Sequence, residues 1–210
     1  MLIWANGRTY GDLGSVLAEQ QVQERASELL AQQLTEKVSL ELDGETMQVF
    51  IEVFPPSPKL IIVGAVHVAI PLITFSKMLG FRTIVVDPRS AFATPKRFAH
   101  ADQLLVEWPH EALSPSDFNE ATYLVVLSHD EKLDNPALKL ALDSPCRYIG
   151  ALGSRKTHAR RVHYLKELGV SDKQLSRIHS PIGLNLGGRR PEEIALATIA
   201  QIIAVRCGTL

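Results

Sequence analysis

Residues 59–69, KLIIVGAVHVA, decide how this chain folds. Lys59–Val63 is short, apolar and not alternating, which predicts a strand covered on both faces, as in a parallel sheet. The strand runs straight into Gly64, with Val66 and Ala69 spaced after it. This is the place of G-x-G-x-x-G/A, where a helix N-terminus meets a pyrophosphate. Val66 stands where the second glycine would let the backbone approach a phosphate, and Pro71 falls early in the helix expected over Val68–Leu79. A bare strand–helix turn without nucleotide therefore reads equally well from this motif alone. Asp87 ends the next strand 23 residues after Gly64, near the spacing of an acid that binds a ribose hydroxyl.

Outward from this stretch, further strands are expected at Arg82–Val86, Leu104–Val106, Thr122–Leu127 and Arg147–Ile149, with helices at Lys156–Leu168 and Pro191–Arg206. The last helix opens on Pro191, Glu192 and Glu193 and is followed by Gly208, the expected asymmetry of helix ends. Its apolar residues occupy two faces, which predicts burial. The fold class that follows is α/β, a Rossmann-like doubly wound parallel sheet with a small N-terminal α/β unit. The run Pro55-Pro56-Ser57-Pro58 cannot continue a helix or a central strand, so it marks a boundary between a unit at 1–57 and a domain at 58–210. In the first unit, Val16–Leu34 carries one apolar helical face. VSLEL and MQVFIEV flank Asp43-Gly44, a strong hairpin signal.

Composition removes whole classes. The chain has 210 residues, 46% of them apolar and 21% charged, with a formal charge of −1. Disorder is excluded by the apolar content. A dedicated binder of nucleic acid or of a membrane surface would need a net basic field. The two cysteines, Cys146 and Cys207, form no C-x-x-C pair, so neither a disulfide framework nor a cysteine zinc site is expected. Both read as structural or incidental thiols. His158 and His163 are five apart and share no helical face, and no metal site is expected. The apolar run Leu60–Phe75 is shorter than the roughly 18–20 residues of a membrane span and is interrupted by His67 and Pro71. Without a secretory signal, a cytoplasmic protein with reduced thiols is the expectation.

Three further segments carry candidate chemistry. Gly150 to Thr157 (GALGSRKT) places two glycines before Ser154, a helix N-cap whose free amides attract anions. Arg155, Lys156, Arg160 and Arg161 add positive charge there, in phosphate contacts or as a solvated basic face. Ser128-His129-Asp130 follows the fourth strand, at the carboxyl edge where open α/β sheets bind ligands. No nucleophile elbow accompanies it, so His129 is read as orienting a ligand or capping the strand. Residues 179–188 (HSPIGLNLGG) form a glycine-rich loop before the final helix, a cover for a pocket or a plain connection.

Six ordered segments from about Pro58 to Gly208 closely resemble successive motifs of the XdhC/CoxI family, accessory proteins of xanthine dehydrogenase and carbon monoxide dehydrogenase. They are PKLIIVGAVHVA, VVDPRSAFATPKRF, LSHDEKLDNPALKLAL, YIGALGSRKTHARR, IHSPIGLNLGG and RPEEIALATIAQIIAV. The resemblance implies a Rossmann-like domain in a maturation factor that binds molybdenum cofactor, a molybdopterin with a phosphate or nucleotide tail. The cofactor is held as cargo while its sulfido ligand is installed, then passed to a molybdenum hydroxylase apoenzyme. It also implies ligand contacts from Gly64, His67, Asp87, Arg89, His129, Asp130, Gly153, Ser154, Arg155 and Pro181. A cysteine desulfurase is a further implied partner, and homodimerisation is common for proteins of this size. No nucleic acid or membrane partner is implied. The chain departs from the family near its start, which is read as late. Gly11 to Glu19 aligns with the family's cysteine-containing segment with Ser15 near the cysteine, and Leu42-Asp43-Gly44 stands for a cysteine-glycine-glycine motif. A thiolate sulfur carrier is not expected there. Two alternatives remain open: an NAD(P)-binding oxidoreductase, with Asp87 or Arg89 on the ribose, and a non-catalytic nucleotide-binding sensor. The reading favours a cofactor-binding chaperone over an enzyme with its own turnover.

Overall fold

A computed structural model describes residues 1–32, 34–42, 45–54 and 57–210 of the chain. Two compact units are present, Met1–Pro56 and Ser57–Leu210. In the first, β1 (Leu2–Ile3) and β2 (Thr9–Tyr10) pair antiparallel, followed by α1 (Val16–Gln32). The Ser15 hydroxyl accepts the Ala18 amide at 3.4 Å, and the Glu19 carboxylate accepts the Leu13 amide at 3.1 Å, which fastens the start of α1. Ala18, Val22, Ala26 and Leu29 form its buried stripe at helical spacing. β3 (Glu36–Leu42) and β4 (Glu45–Ile51) pair antiparallel from Glu36↔Ile51 to Leu42↔Glu45. The turn expected at Asp43-Gly44 lies outside the described residues.

The second unit runs β5 (Lys59–Val63), α2 (Ala69–Met78), β6 (Arg82–Val86), β7 (Gln103–Leu105), α3 (Pro109–Ala112), β8 (Thr122–Val126) and α4 (Glu131–Leu142). It continues with β9 (Tyr148–Ala151), α5 (Arg155–Glu167), α6 (Asp172–Leu175), β10 (Ile178–His179) and α7 (Pro191–Arg206). Its six strands are all parallel, in the order β10-β9-β8-β5-β6-β7. Both faces of the sheet are covered, which is why the strands do not alternate. Ile61, Val63, Ile84, Leu124 and Val126 meet Leu133 and Leu138 of α4 and Leu165 of α5 on one face. Leu60, Ile62, Val85 and Val125 meet Leu72 and Ile73 of α2 and Ile199 and Ile202 of α7 on the other. The winding proceeds from β5 through β6 to β7, then restarts at β8 on the opposite side. A crevice opens at such a reversal, above the carboxyl ends of the two neighbouring strands.

Beyond the short elements β1, β2, α3 and α6, two elements at the sheet go beyond what the sequence pattern predicts. Asn135 and Pro136 interrupt the pattern over α4. The helix forms because Asp130 caps it, accepting the Lys132 amide at 2.9 Å, and because Leu133, Ala137, Leu138 and Ala141 are buried. The strand β10 is only two residues long, too short for a periodicity signal. Both apolar faces of α7 contribute to the core, through Ala197 and Ile202 on one and Ile199 and Ile203 on the other, and only Leu196 keeps 49% of its surface exposed. Among the described residues, no helix is long and apolar enough to cross a membrane.

Candidate functional site

The first wall of the crevice is the turn after β5. Gly64 has φ +108°, and its amide donates to the Val86 carbonyl at 2.9 Å. A Cβ there would lie 2.8 Å from the Ser128 nitrogen and 3.0 Å from its Cα, so the ends of β5 and β8 touch at this point. The next amide, Ala65, donates to Asp87 Oδ2 at 2.7 Å. Arg89 closes on the same carboxylate with Nε to Oδ1 at 2.8 Å, Nη2 to Oδ2 at 2.7 Å and its own amide to Oδ1 at 3.0 Å. Asp87 is fully buried. Burial alone would raise its pKa, but the bonds from the Arg89 side chain and from the Ala65 and Arg89 amides reverse that and hold it below the ordinary value. Arg89 is raised in turn by its bond to Asp87. This corrects one expectation: the acid ending β6 is not offered to a ribose, because its oxygens already fasten the glycine turn. Arg97 supports the same turn, donating to the Ala65 carbonyl at 3.1 Å. The amides of Val66, His67 and Val68 donate to no backbone acceptor among the described residues, and the His67 side chain is exposed beside them.

The second wall follows β8. His129 sits at φ +60°, a left-handed conformation that costs a non-glycine residue about 1 kcal/mol. Its neighbours hold it there. The Ser128 hydroxyl accepts the Asp130 amide at 3.0 Å and donates to Asp134 Oδ1 at 2.6 Å. Asp134 Oδ2 pairs with Arg161 Nη2 at 3.2 Å, and Arg161 also reaches the Leu152 carbonyl at 3.3 Å. These two side chains are 1% and 2% exposed. Burial, the largest influence, pushes the Asp134 carboxyl up, with Ser128 and Arg161 pulling it back. Arg161 is therefore not a free cation on a basic face, as its position in the Arg155–Arg161 run suggests. It is a buried strut joining the loops after β8 and β9. Arg161 Nε and Nη1 and Asn135 Oδ1 are buried there without a protein partner.

The third wall follows β9 and β10. Gly153 has φ +140°, and the Ser154 hydroxyl accepts the Thr157 amide at 3.2 Å, capping α5. Arg155 then opens the helix, exposed. The loop after β10 is pinned by Gln201 Oε1, which accepts the Tyr148 hydroxyl at 2.6 Å and the Gly183 amide at 2.9 Å. His179 stacks on Tyr148 with ring centroids 4.9 Å apart, and burial lowers its pKa. Its ring thus packs rather than faces the crevice. Between this loop, Arg155 and α7 lies a groove of about 560 Å³ that includes Pro181 and Arg189.

Residues 60–202 match the family described as XdhC Rossmann domain. The chain belongs to that family. It is 35% identical over 162 residues to a protein of Bacillus subtilis named as a probable xanthine dehydrogenase subunit, covering 77% of this chain and 47% of that protein. It is 33% identical over 95 residues to the molybdenum cofactor insertion chaperone PaoD of Escherichia coli, covering 45% of this chain and 30% of that protein. A crystal structure of a xanthine dehydrogenase from Bacillus halodurans superposes with a TM-score of 0.64 at 25% identity, over 89% of this chain and 64% of that one. The chain spans less than half the length of the curated relatives it matches.

Within this XdhC domain, the ten residues singled out by motif all fall at one edge of the sheet. Gly64 and His67 follow β5, Asp87 and Arg89 follow β6, and His129 and Asp130 follow β8. Gly153, Ser154 and Arg155 follow β9, and Pro181 follows β10. The parallel topology brings them together, since every carboxyl end points the same way. Their roles divide: His67, His129 and Arg155 are exposed, whereas Asp87 is buried and holds backbone. Sequence reasoning missed Asp134, Arg97, Gln201 and Arg189. For Asp134 and Arg97 the local signal was charge within a family motif, Arg189 lies just outside the motifs, and Gln201 carries no charge at all.

The cysteines sit away from this edge. Cys146 is buried, its thiol donating to the Thr122 and Tyr148 carbonyls at 3.3 Å, and burial pushes its pKa up to about 12. Cys207, just past α7, is exposed. Maleimide at mildly alkaline pH is expected to label Cys207 alone in the native protein, and both thiols after denaturation. Native labelling of Cys146 in a Cys207→Ser variant would contradict the burial described.

Proposed function

We propose that this XdhC domain holds molybdenum cofactor at the carboxyl edge of its sheet and delivers it to a molybdenum hydroxylase. The names of two relatives support the class of cargo and client. The observation that carries the reading is the occupation of Asp87. With that carboxylate bound by Ala65 and Arg89, the crevice lacks the acid that anchors an adenosine ribose in a nicotinamide enzyme. What it does present are open amides at Val66–Val68, the exposed imidazoles of His67 and His129, and the guanidinium of Arg155. These groups suit a phosphate-bearing, hydrogen-bond-rich pterin.

In this reading the amides after Gly64 bind oxyanions, His129 orients the pterin, and Arg155 contacts the phosphate end. Sulfur transfer is assigned elsewhere. Cys146 is buried and Cys207, though exposed, lies past the end of α7 and away from the crevice, so an incoming persulfide would come from a partner such as a cysteine desulfurase.

The test is anaerobic titration of the protein with molybdenum cofactor, with NAD(H) and NADP(H) in parallel. Saturable binding of the pterin is expected, weakened about tenfold or more when His129→Ala and Arg155→Ala are combined. An unchanged affinity in the double variant would remove these residues from the site. Nicotinamide binding without pterin binding would overturn the reading itself.

A further inference from the structure

We infer that the groove between residues 181–189, the first turn of α5 and the first turns of α7 is an oxyanion subsite. It takes a phosphate or pyrophosphate group carried by a small ligand. The charge of its lining is one-sided. Arg155 and Arg189 both line it, no acidic residue does, and neither guanidinium makes an ion pair or hydrogen bond among the described residues. The Glu193 carboxylate lies against Gly188, its Oε2 3.0 Å from a Cβ built there, and is already engaged by backbone. Its Oε2 accepts the Arg189 and Arg190 amides at 2.8 and 2.9 Å, and those bonds lower its pKa. It therefore closes the start of α7 instead of neutralising the arginines.

The backbone of the groove is also open to an anion. The amides of Asn185, Gly187 and Gly188 donate to no acceptor among the described residues. The chain can lie this close to α7 only because it carries glycine there. A Cβ on Gly188 would meet Glu193 Cβ at 2.5 Å, and one on Gly183 would meet Ala197 backbone at 3.0 Å. Leu184, Leu186 and Ile194 supply apolar wall, which suits the ring or chain to which the phosphate is attached. A volume of about 560 Å³ is enough for a group of nucleotide size. Two unpaired arginines, three open amides and an apolar wall match a phosphate ester more closely than a free inorganic ion.

Only the identity of the whole ligand rests on the cofactor reading above. The subsite is tested with inorganic pyrophosphate at constant ionic strength, followed by amide chemical shifts of the full chain. The Asn185, Gly187 and Gly188 amides are expected to shift and saturate at millimolar pyrophosphate or below. The Arg155→Ala/Arg189→Ala pair is expected to weaken binding about tenfold or more, and the corresponding lysine pair to restore part of it. Arg82→Ala combined with Lys59→Ala, both at the opposite edge of the sheet, likewise removes two positive charges and serves as the control together with Arg82→Ala alone. Absence of saturable shifts at those three amides, or equal weakening by the Lys59→Ala/Arg82→Ala pair, would overturn the proposal. Molybdenum cofactor binding without pyrophosphate shifts would sink the subsite and leave the cofactor reading standing, and the reverse result would do the opposite.

Discussion

Gly64→Ala is expected to destabilise the domain by about 3 kcal/mol, with a lower urea midpoint and an unchanged slope. Two costs combine. The backbone at φ +108° is one that side chains avoid, and the added methyl would stand 2.8 Å from the Ser128 nitrogen, where no flexible side chain can yield. Gly80 separates them, since it has φ +80° with nothing within 4 Å of a built Cβ. Gly80→Ala is therefore expected to cost only about 1 kcal/mol, the conformational part. Equal losses in the two variants would mean that β5 and β8 are not in contact at the crevice. Because the methyl pushes apart the two strand ends that carry His67 and His129, ligand affinity should fall in Gly64→Ala and not in Gly80→Ala.

Arg161→Met is the second large effect. It removes the counter-charge of a carboxylate that is 1% exposed, and breaking such a pair from one side costs about 3–5 kcal/mol. Replacing both partners, Arg161→Met with Asp134→Leu, should recover most of that loss, because no buried charge is then left alone. Additive losses in the double variant would contradict the pairing. The pH dependence has a definite sign. Burial already raises the Asp134 carboxyl, and without Arg161 its folded pKa rises further above its unfolded value. The single variant is thus least stable near neutral pH, and its deficit shrinks as the pH falls and the carboxyl is protonated in the folded state. The pair also joins Ser128 to the Leu152 carbonyl, so its loss should loosen the loops that present His129 and Arg155.

Much of the frame is legible residue by residue. β5 and β6 form over the expected residues because their runs of Leu, Ile and Val have no polar face to turn outward. α7 begins at Pro191 and ends at Arg206 because its terminal signals are local. The edges of β7 and β9 differ from expectation by one or two residues, since flanking polar residues can extend a ladder either way. α4 is hidden in the sequence because Pro136 is a strong local breaker signal, overridden here by the burial of Leu133, Ala137, Leu138, Ala141 and Leu142.

The side-chain roles at the site are less legible. Asp87 reads as a ligand for a ribose and Arg161 as a surface cation, each from its residue type and neighbourhood. Arg89, two residues on, grips Asp87 locally, but the turn that Asp87 fastens lies 22 residues back at Ala65, and the partner of Arg161 lies 27 residues away at Asp134. Ser128 and Gly64 meet only because β8 pairs with β5 and not with the strand before it in sequence. By itself the sequence determined the longer strands, the helices α1, α2, α5 and α7, the glycine turn and the family, because periodicity, proline and glycine act on the nearest few residues of backbone. The tertiary structure alone decided which charges are buried and neutralised and which are left facing the crevice and the groove. A hydrogen bond and its desolvation depend on what the fold brings within about 3 Å, and that distance in space is not written in the spacing along the chain.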